Sequence, residues 1–377
     1  MEECILDKKQ KESLLTKDIL TNLQWPSPEN ILLQLNEVIV FGTGVAAESV
    51  TKVLEQYGVN ILCYADNDIA KQQLLFHDKQ VMAPEKLKKA PQLILIASLW
   101  AKDIAAQLRQ LECKYLDFSF CVEFLRWKDH FNCEVFDVER AVNVGLNFLQ
   151  GVDLQNYLGC IRYRQTYDPM HLESPKHDHY MNPNVFPTSD DVYIDGGAWQ
   201  GDTLLELKDL CGKNIEIHSF EPDEKNYNIL TSMIAKKHIP NCTVIKKALW
   251  DCNTTLKFVA SAEAVHSMQS RVSSDGLTDQ KATEVIATTL DNYSQTIGRK
   301  PSYIKMDIEG AEPQALNGAA DLLKHCSPKL AISAYHEPNH IWQLIEQINS
   351  INSSYKFWFE HHSQHLLESV LYAKAGN

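Results

Sequence analysis

No Cys-x-x-Cys pair occurs anywhere in the chain, and its ten cysteines are scattered singly between Cys4 and Cys326. That spacing excludes a zinc knuckle and gives no sign of a disulfide framework, so reduced thiols in a cytoplasmic protein are expected. No stretch approaches the ~20 apolar residues of a membrane helix. The opening Met-Glu-Glu-Cys-Ile-Leu-Asp mixes charge without the apolar segment of a secretory signal, so no membrane partner is expected. Basic residues are in deficit: 36 Lys and Arg against 49 Asp and Glu give 36 − 49 = −13, with no long basic run. Such a balance repels a phosphate backbone and argues against a nucleic-acid partner. Internal repeats and low-complexity tracts are also absent. What is present is a 377-residue chain, 44% apolar and 23% charged, enough to pack two or three domains.

The order of apolar runs predicts an α/β protein built from two Rossmann-like, doubly wound units. Residues 1–30 read as a helical segment closed by Pro26 and Pro28. Residues 31–125 read as a first unit, with strands at Val38–Phe41, Asn60–Ala65, Leu93–Ala97 and near Tyr115–Phe118. Helices are expected after Gly44, at Pro84-Glu85 and around Lys102–Leu111. This alternation predicts a parallel sheet covered by helices on both faces. Residues 126–190 read as a helical linker, with a helix near Glu134–Asn147 and a polar, turn-rich segment from Tyr167. A second unit fills 191–377, with strands at Asp191–Asp195, Ile215–Phe220, Thr243–Lys246, Tyr303–Met306 and Leu330–Ala334.

Each unit carries a glycine turn behind its first strand. In the first, Gly42-x-Gly44-x-x-Ala47, with Asp66 24 positions after Gly42, satisfies the weak form of a dinucleotide fingerprint. No Tyr has a Lys four residues later, so the pair that serves hydride chemistry in short-chain dehydrogenases is missing. A bound nucleotide or nucleotide-sugar without turnover is the expectation, against a scaffold that binds nothing. In the second, Asp195-Gly196-Gly197-Ala198-Trp199-Gln200-Gly201 follows a strand and opens a helix, and Glu221 closes the next strand. Glycines at 197 and 201 admit close backbone approach, and a carboxylate at the second strand tip can accept the two hydroxyls of a ribose. Together they suit an adenosyl group. The competing reading is a plain turn in which Asp195 only caps the helix.

Further along stand Ala248-Leu249 with Asp251, Thr288-Thr289-Leu290-Asp291, and Lys305-Met306-Asp307-Ile308-Glu309-Gly310-Ala311-Glu312. With the glycine segment and Phe220-Glu221-Pro222, these elements resemble the FkbM-type methyltransferase family, in order, over residues 190 to 373. The resemblance implies a class I S-adenosylmethionine-binding fold with a mostly parallel seven-stranded sheet. It also implies methyl transfer to oxygen on a sugar, nucleotide-sugar or related small metabolite. By position Asp195, Gly196 and Gly197 would lie beside the methionine part of the cofactor. Gly201 would allow helix packing, Glu221 would hold the ribose, and Asp251 would reach the adenine amino group. Bulky Trp199 departs from the commoner first loop. The N-terminal pattern is similar to small Rossmann-like domains found beside sugar-modifying enzymes.

Catalytic groups are expected at the carboxyl ends of the later strands. His336, Asp307 and Glu309 stand there. They suit a general base for the acceptor hydroxyl or ligands of a divalent metal. The alternative is a structural ion network in which Lys305 pairs with Asp307 and Glu309. His336 and His340 would share a helix face, yet no third zinc ligand has metal-ligand spacing. Two rival functions stay open: a non-catalytic nucleotide-sugar-binding protein with a degenerate methyltransferase domain, and an NAD-dependent oxidoreductase.

Overall fold

The computed structural model of the protein describes residues 8–24, 26–120, 136–259, 271–273 and 282–376. The chain divides into two compact units, residues 1–175 with 361–368, and residues 176–360 with 369–377.

In the first unit, β1 (Glu37–Phe41), β2 (Asn60–Ala65), β3 (Leu75–Phe76), β4 (Lys79–Met82), β5 (Leu93–Ile96) and β6 (Tyr115–Asp117) form one sheet in the order β3-β4-β2-β1-β5-β6. β1 runs parallel to both β2 and β5. Alternate side chains of a strand point to opposite faces. Val38 and Val40 pack with Ala47, Val50 and Leu54 of the helix Val45–Gln56, while Ile39 and Phe41 pack with Ala101, Ile104 and Leu108 of the helix Ala101–Gln110. The unbroken apolar run 38–41 is what a strand covered on both faces requires. The β3–β4 hairpin was not expected. His77 and Asp78 turn it with φ of +45° and +58°, a geometry usually signalled by Asn-Gly or Asp-Gly.

Near the N-terminus the helix Lys8–Thr21 stops before the prolines, and Pro28 opens the short helix Pro28–Leu32, capped by Ser27. Proline suits that first helical position because its missing N–H has no partner there. The expected start of a helix at Glu134 lies outside the described residues; the helix runs Val138–Phe148. The following helix, Gly151–Thr166, buries Leu154, Tyr157, Leu158, Ile161 and Tyr163. Tyr163 donates to Asp117 Oδ2 (2.6 Å), and the Asp117 N–H donates to the Tyr167 carbonyl (2.7 Å). Those bonds at the end of β6 hold residues 151–167 in the first unit, within the stretch expected to be a linker. A helix buried on most sides has no amphipathic period to announce it.

In the second unit, β7 (Val192–Gly196), β8 (Glu216–Phe220), β9 (Cys242–Ile245), β14 (Tyr303–Met306), β15 (Lys329–Ser333), β16 (Tyr355–His361) and β17 (Ser369–Ala375) form a seven-stranded sheet. Its order is β16-β17-β15-β14-β7-β8-β9. β7 is parallel to β8 and β14, β14 is parallel to β15, and β17 runs antiparallel to β15. The chain therefore builds outward from β7 in one direction through β9 and returns to build in the other from β14. Ligands of open parallel sheets lie outside the carboxyl ends at such a reversal. Between β9 and β14 the chain adds a four-stranded sheet, β10 (Ala248–Leu249), β13 (Ala282–Thr288), β11 (Thr254–Val259) and β12 (Arg271–Ser273), in that order.

Candidate active site

The turn after β7 is governed first by the chain's own backbone. Gly197 has φ of +73°, and a Cβ there would stand 1.8 Å from the Asp307 carbonyl oxygen at the end of β14. Glycine is thus required for strand-end packing before any ligand is considered. Gly196, the last residue of β7, would place a Cβ 3.1 Å from the Lys305 carbonyl. Gly201 has φ of +92°, and its missing Cβ leaves room for Leu230 and Met233 of the helix Glu224–Lys237. It is also the N-cap of the helix Asp202–Cys211, so Asp195 does not cap that helix.

Asp195 is fully buried and pairs instead with Lys305, whose ammonium lies 3.1 Å from Oδ1. The two residues are register partners on β7 and β14. Lys305 also donates to the carbonyls of Gly196 (3.3 Å) and Gly197 (3.1 Å), which ties the glycine turn to β14. The hydrogen bonds of Lys305 go across to β7, while its charge also acts on Asp307. Burial pushes the Asp195 carboxyl upward and the Lys305 ammonium works against it. Asp195 Oδ2 has no hydrogen-bond partner among the described residues.

Glu221 sits at the tip of β8, buried, and its carboxylate accepts the N–H of Trp199 at Oε2 (2.9 Å) and that of Asp223 at Oε1 (2.8 Å). The first bond joins the acid to the glycine turn, and Trp199 makes it from a left-handed conformation with φ of +45°. Burial pushes the Glu221 carboxyl up to about 7, against the pull of those two N–H groups. Asp251 is exposed between β10 and β11, with its carboxylate beside the Cys252 thiol.

At the ends of β14 and β15 the side chains converge. Asp307 accepts the hydroxyls of Tyr180 at Oδ2 (3.0 Å) and Tyr335 at Oδ1 (3.1 Å). His336 Nε2 lies 3.4 Å from Asp307 Oδ1 and 3.6 Å from Glu309 Oε2, while Nδ1 lies 2.9 Å from Glu312 Oε1. Glu309 and Gly310 both have positive φ, +57° and +101°, and this turn brings Glu312 back to the cluster. Glu312 is fully buried, accepts the Ile308 N–H (2.9 Å), and has Oε2 3.5 Å from His340 Nδ1. His336 and His340 therefore meet through Glu312, His336 standing ahead of the helix His340–Ile351.

Burial would lower the His336 pKa, but Glu312, Glu309 and Asp307 reverse this and push it up to about 10. Those three carboxylates favour the protonated ring, which has no lone pair left with which to accept a proton. Burial raises the pKa of Asp307, yet Lys305 and His336 hold it below the usual carboxylate range. His179, stacked on Tyr180 with ring centroids 4.0 Å apart, is driven down to about 4, mainly by burial. Sequence reasoning missed Glu312, Tyr180 and Tyr335. Glu312 stood in the quoted motif, five residues after Asp307; nothing local marks the two tyrosines.

The Thr-Leu-Asp segment is structural. Thr289 caps the helix Leu290–Ile297, and Asp291 accepts the N–H groups of Asp321 (3.0 Å) and Leu322 (2.9 Å) at the start of the helix Ala320–His325.

In the first unit Gly42 has φ of +122°, and its Cβ would lie 2.3 Å from the Ala97 carbonyl, whereas a Cβ on Gly44 meets nothing within 4 Å. Asp66 accepts the Thr43 hydroxyl, the Asp68 N–H (2.9 Å) and the Lys71 ammonium (3.4 Å), so turn and acid are brought together.

Residues 192–359 match the family model of the methyltransferase FkbM domain, and residues 34–115 that of the C2185-like N-terminal domain. No curated protein matches the sequence. A methyltransferase FkbM structure from Methylobacillus flagellatus KT aligns with 97% of this chain and 99% of its own at 17% identity and a TM-score of 0.70, a likeness of fold. An rRNA methylase from Streptococcus thermophilus aligns with 50% of this chain and 89% of its own, at 10% identity and a TM-score of 0.32. Fibrillarin from Aeropyrum pernix, solved with natively bound S-adenosyl-L-methionine, aligns with 49% and 67%, at 9% identity and 0.31. The unit that carries the glycine turn, the acid at the tip of β8 and the convergent strand ends is the unit the family match spans, so residues 192–359 of this chain match the methyltransferase FkbM domain.

Proposed function

We propose that the second unit binds S-adenosylmethionine and transfers its methyl group to a hydroxyl oxygen of a sugar, nucleotide-sugar or related small metabolite. The observation that carries this reading is Glu221, a buried acid at the β8 tip hydrogen-bonded to the glycine turn through Trp199. In this reading its remaining lone pairs accept the ribose hydroxyls, and Asp195 Oδ2, which has no hydrogen-bond partner among the described residues, accepts from the ammonium of the methionine part. The acceptor oxygen attacks the sulfonium methyl, S-adenosylhomocysteine leaves, and the hydroxyl proton must be taken up. Asp307, ionised and flanked by two tyrosine hydroxyls, is the proton acceptor in place of His336.

Calorimetry with S-adenosylhomocysteine tests the cofactor site. Glu221→Ala removes two charge-assisted hydrogen bonds of ~1.5–3 kcal/mol each, so affinity should fall at least about tenfold. An unchanged dissociation constant would remove Glu221 from the site. For the first unit we propose a nucleotide or nucleotide-sugar at the Gly42 turn, where the helix beginning at Val45 offers free N–H groups. Gly44→Val should leave folding intact, since its Cβ has open space, while blocking such a ligand. Nucleotide-induced chemical-shift changes that persist in Gly44→Val would refute that placement.

A further inference from the structure

We propose that the indole N–H of Trp199 donates a hydrogen bond to the carboxylate of the cofactor's methionine part, an inference that rests on the S-adenosylmethionine reading of this unit. Trp199 sits within the glycine turn with φ of +45°, a left-handed conformation that a bulky side chain rarely adopts. Such strain persists where the surroundings hold it, and it gathers at ligand sites. Here the hold is Glu221, whose Oε2 accepts the Trp199 backbone N–H at 2.9 Å, so the indole is rooted beside the acid that takes the ribose.

The indole supplies an independent observation. Its Nε1 is buried and donates to no acceptor among the described residues. A buried indole N–H usually has a partner, because it has lost its water. Asp195 Oδ2 and Ser219 Oγ, on register partners of β7 and β8, are likewise buried without hydrogen bonds among the described residues. The large majority of buried polar side-chain atoms are paired, so three orphans around the ends of two adjacent strands mark a place where a polar ligand bonds. Charge then sorts the groups of that ligand. Asp195 and Glu221 are acids, which attract the ammonium and the ribose hydroxyls and repel a carboxylate. Lys305 is committed to Asp195 and to the carbonyls of Gly196 and Gly197. An indole N–H only donates, and it suits the negative end of the methionine part.

The test is calorimetry on the full-length protein with two ligands, S-adenosylhomocysteine and methylthioadenosine, which keeps the adenosyl group and the sulfur but has no amino-acid end. Trp199→Phe keeps an aromatic ring and removes the N–H. Its affinity for S-adenosylhomocysteine should fall at least about tenfold, while that for methylthioadenosine changes less than about twofold. Should Trp199→Phe fail to fold by circular dichroism, Trp199→Gly decides by the same pair of titrations, since glycine suits the positive φ and keeps the backbone N–H on Glu221. An unchanged S-adenosylhomocysteine affinity, or an equal loss for both ligands, overturns the inference and leaves the cofactor reading standing. A wild-type protein that binds neither ligand rejects the cofactor reading itself, and this bond with it.

Discussion

The two glycine turns are a natural pair. Each follows the first central strand of a doubly wound sheet, each opens a helix, and each is joined by a hydrogen bond to an acid at the tip of the next strand. Their acids stand in opposite electrostatic conditions. Asp66 is held by the Thr43 hydroxyl, the Asp68 N–H and Lys71, which outweigh burial and keep its pKa below the usual value. Glu221 has only two N–H donors against its burial, which pushes it up to about 7. The first carboxylate has its charge balanced by its own neighbours, and the second is left short of donors. A turn motif therefore does not distinguish a satisfied scaffold from a site prepared for a ligand; the surroundings of the acid do.

The largest effects should come from the glycines that both turns need for their own backbones. Gly197→Ala and Gly42→Ala each force a Cβ into a carbonyl at positive φ, 1.8 and 2.3 Å away. Each should cost about 3 kcal/mol or more of stability in urea denaturation. A loss below 1 kcal/mol in either would break the parallel. Next in size, Asp307→Asn should cut turnover ~10²-fold once an acceptor is known, in line with the loss of a proton acceptor. Cofactor affinity measured by calorimetry should change little. Because the His336 pKa is pushed up to about 10, no rate increase between pH 6 and 8 should be traceable to that ring.

The contrast between the acids predicts a pH effect in one unit alone. S-adenosylhomocysteine affinity should weaken as pH falls through about 7, by up to about tenfold per unit, because protonation removes charge from Glu221 where the ribose would bond. A flat calorimetric profile from pH 5 to 8 would show that the carboxyl is not the acceptor. Smallest is Asp66→Asn. A depressed pKa contributes stability that is present above the ordinary carboxylate value and lost as pH falls through the folded one. The variant should cost about 1 kcal/mol at pH 7 and less at pH 3, read from denaturation midpoints.

The amino-acid order by itself determined the central parallel strands of both sheets, because buried runs such as Val38–Phe41 and Tyr303–Met306 are continuous and bounded by turns, whereas the β3–β4 hairpin and the outer strands β16 and β17 were not read from it. It also determined that Asp195, Glu221, Asp307 and His336 stand near carboxyl ends of parallel strands, since a strand boundary is a local property. Tertiary structure alone decided what those side chains do. Lys305 meets Asp195 because β14 returns beside β7 across 110 residues of chain, and no local period records that return. Asp307 acquires Tyr180 from 127 residues away. Three carboxylates gather around His336 and favour its protonated form. Charge state depends on distance in space, and the sequence orders residues only along the chain.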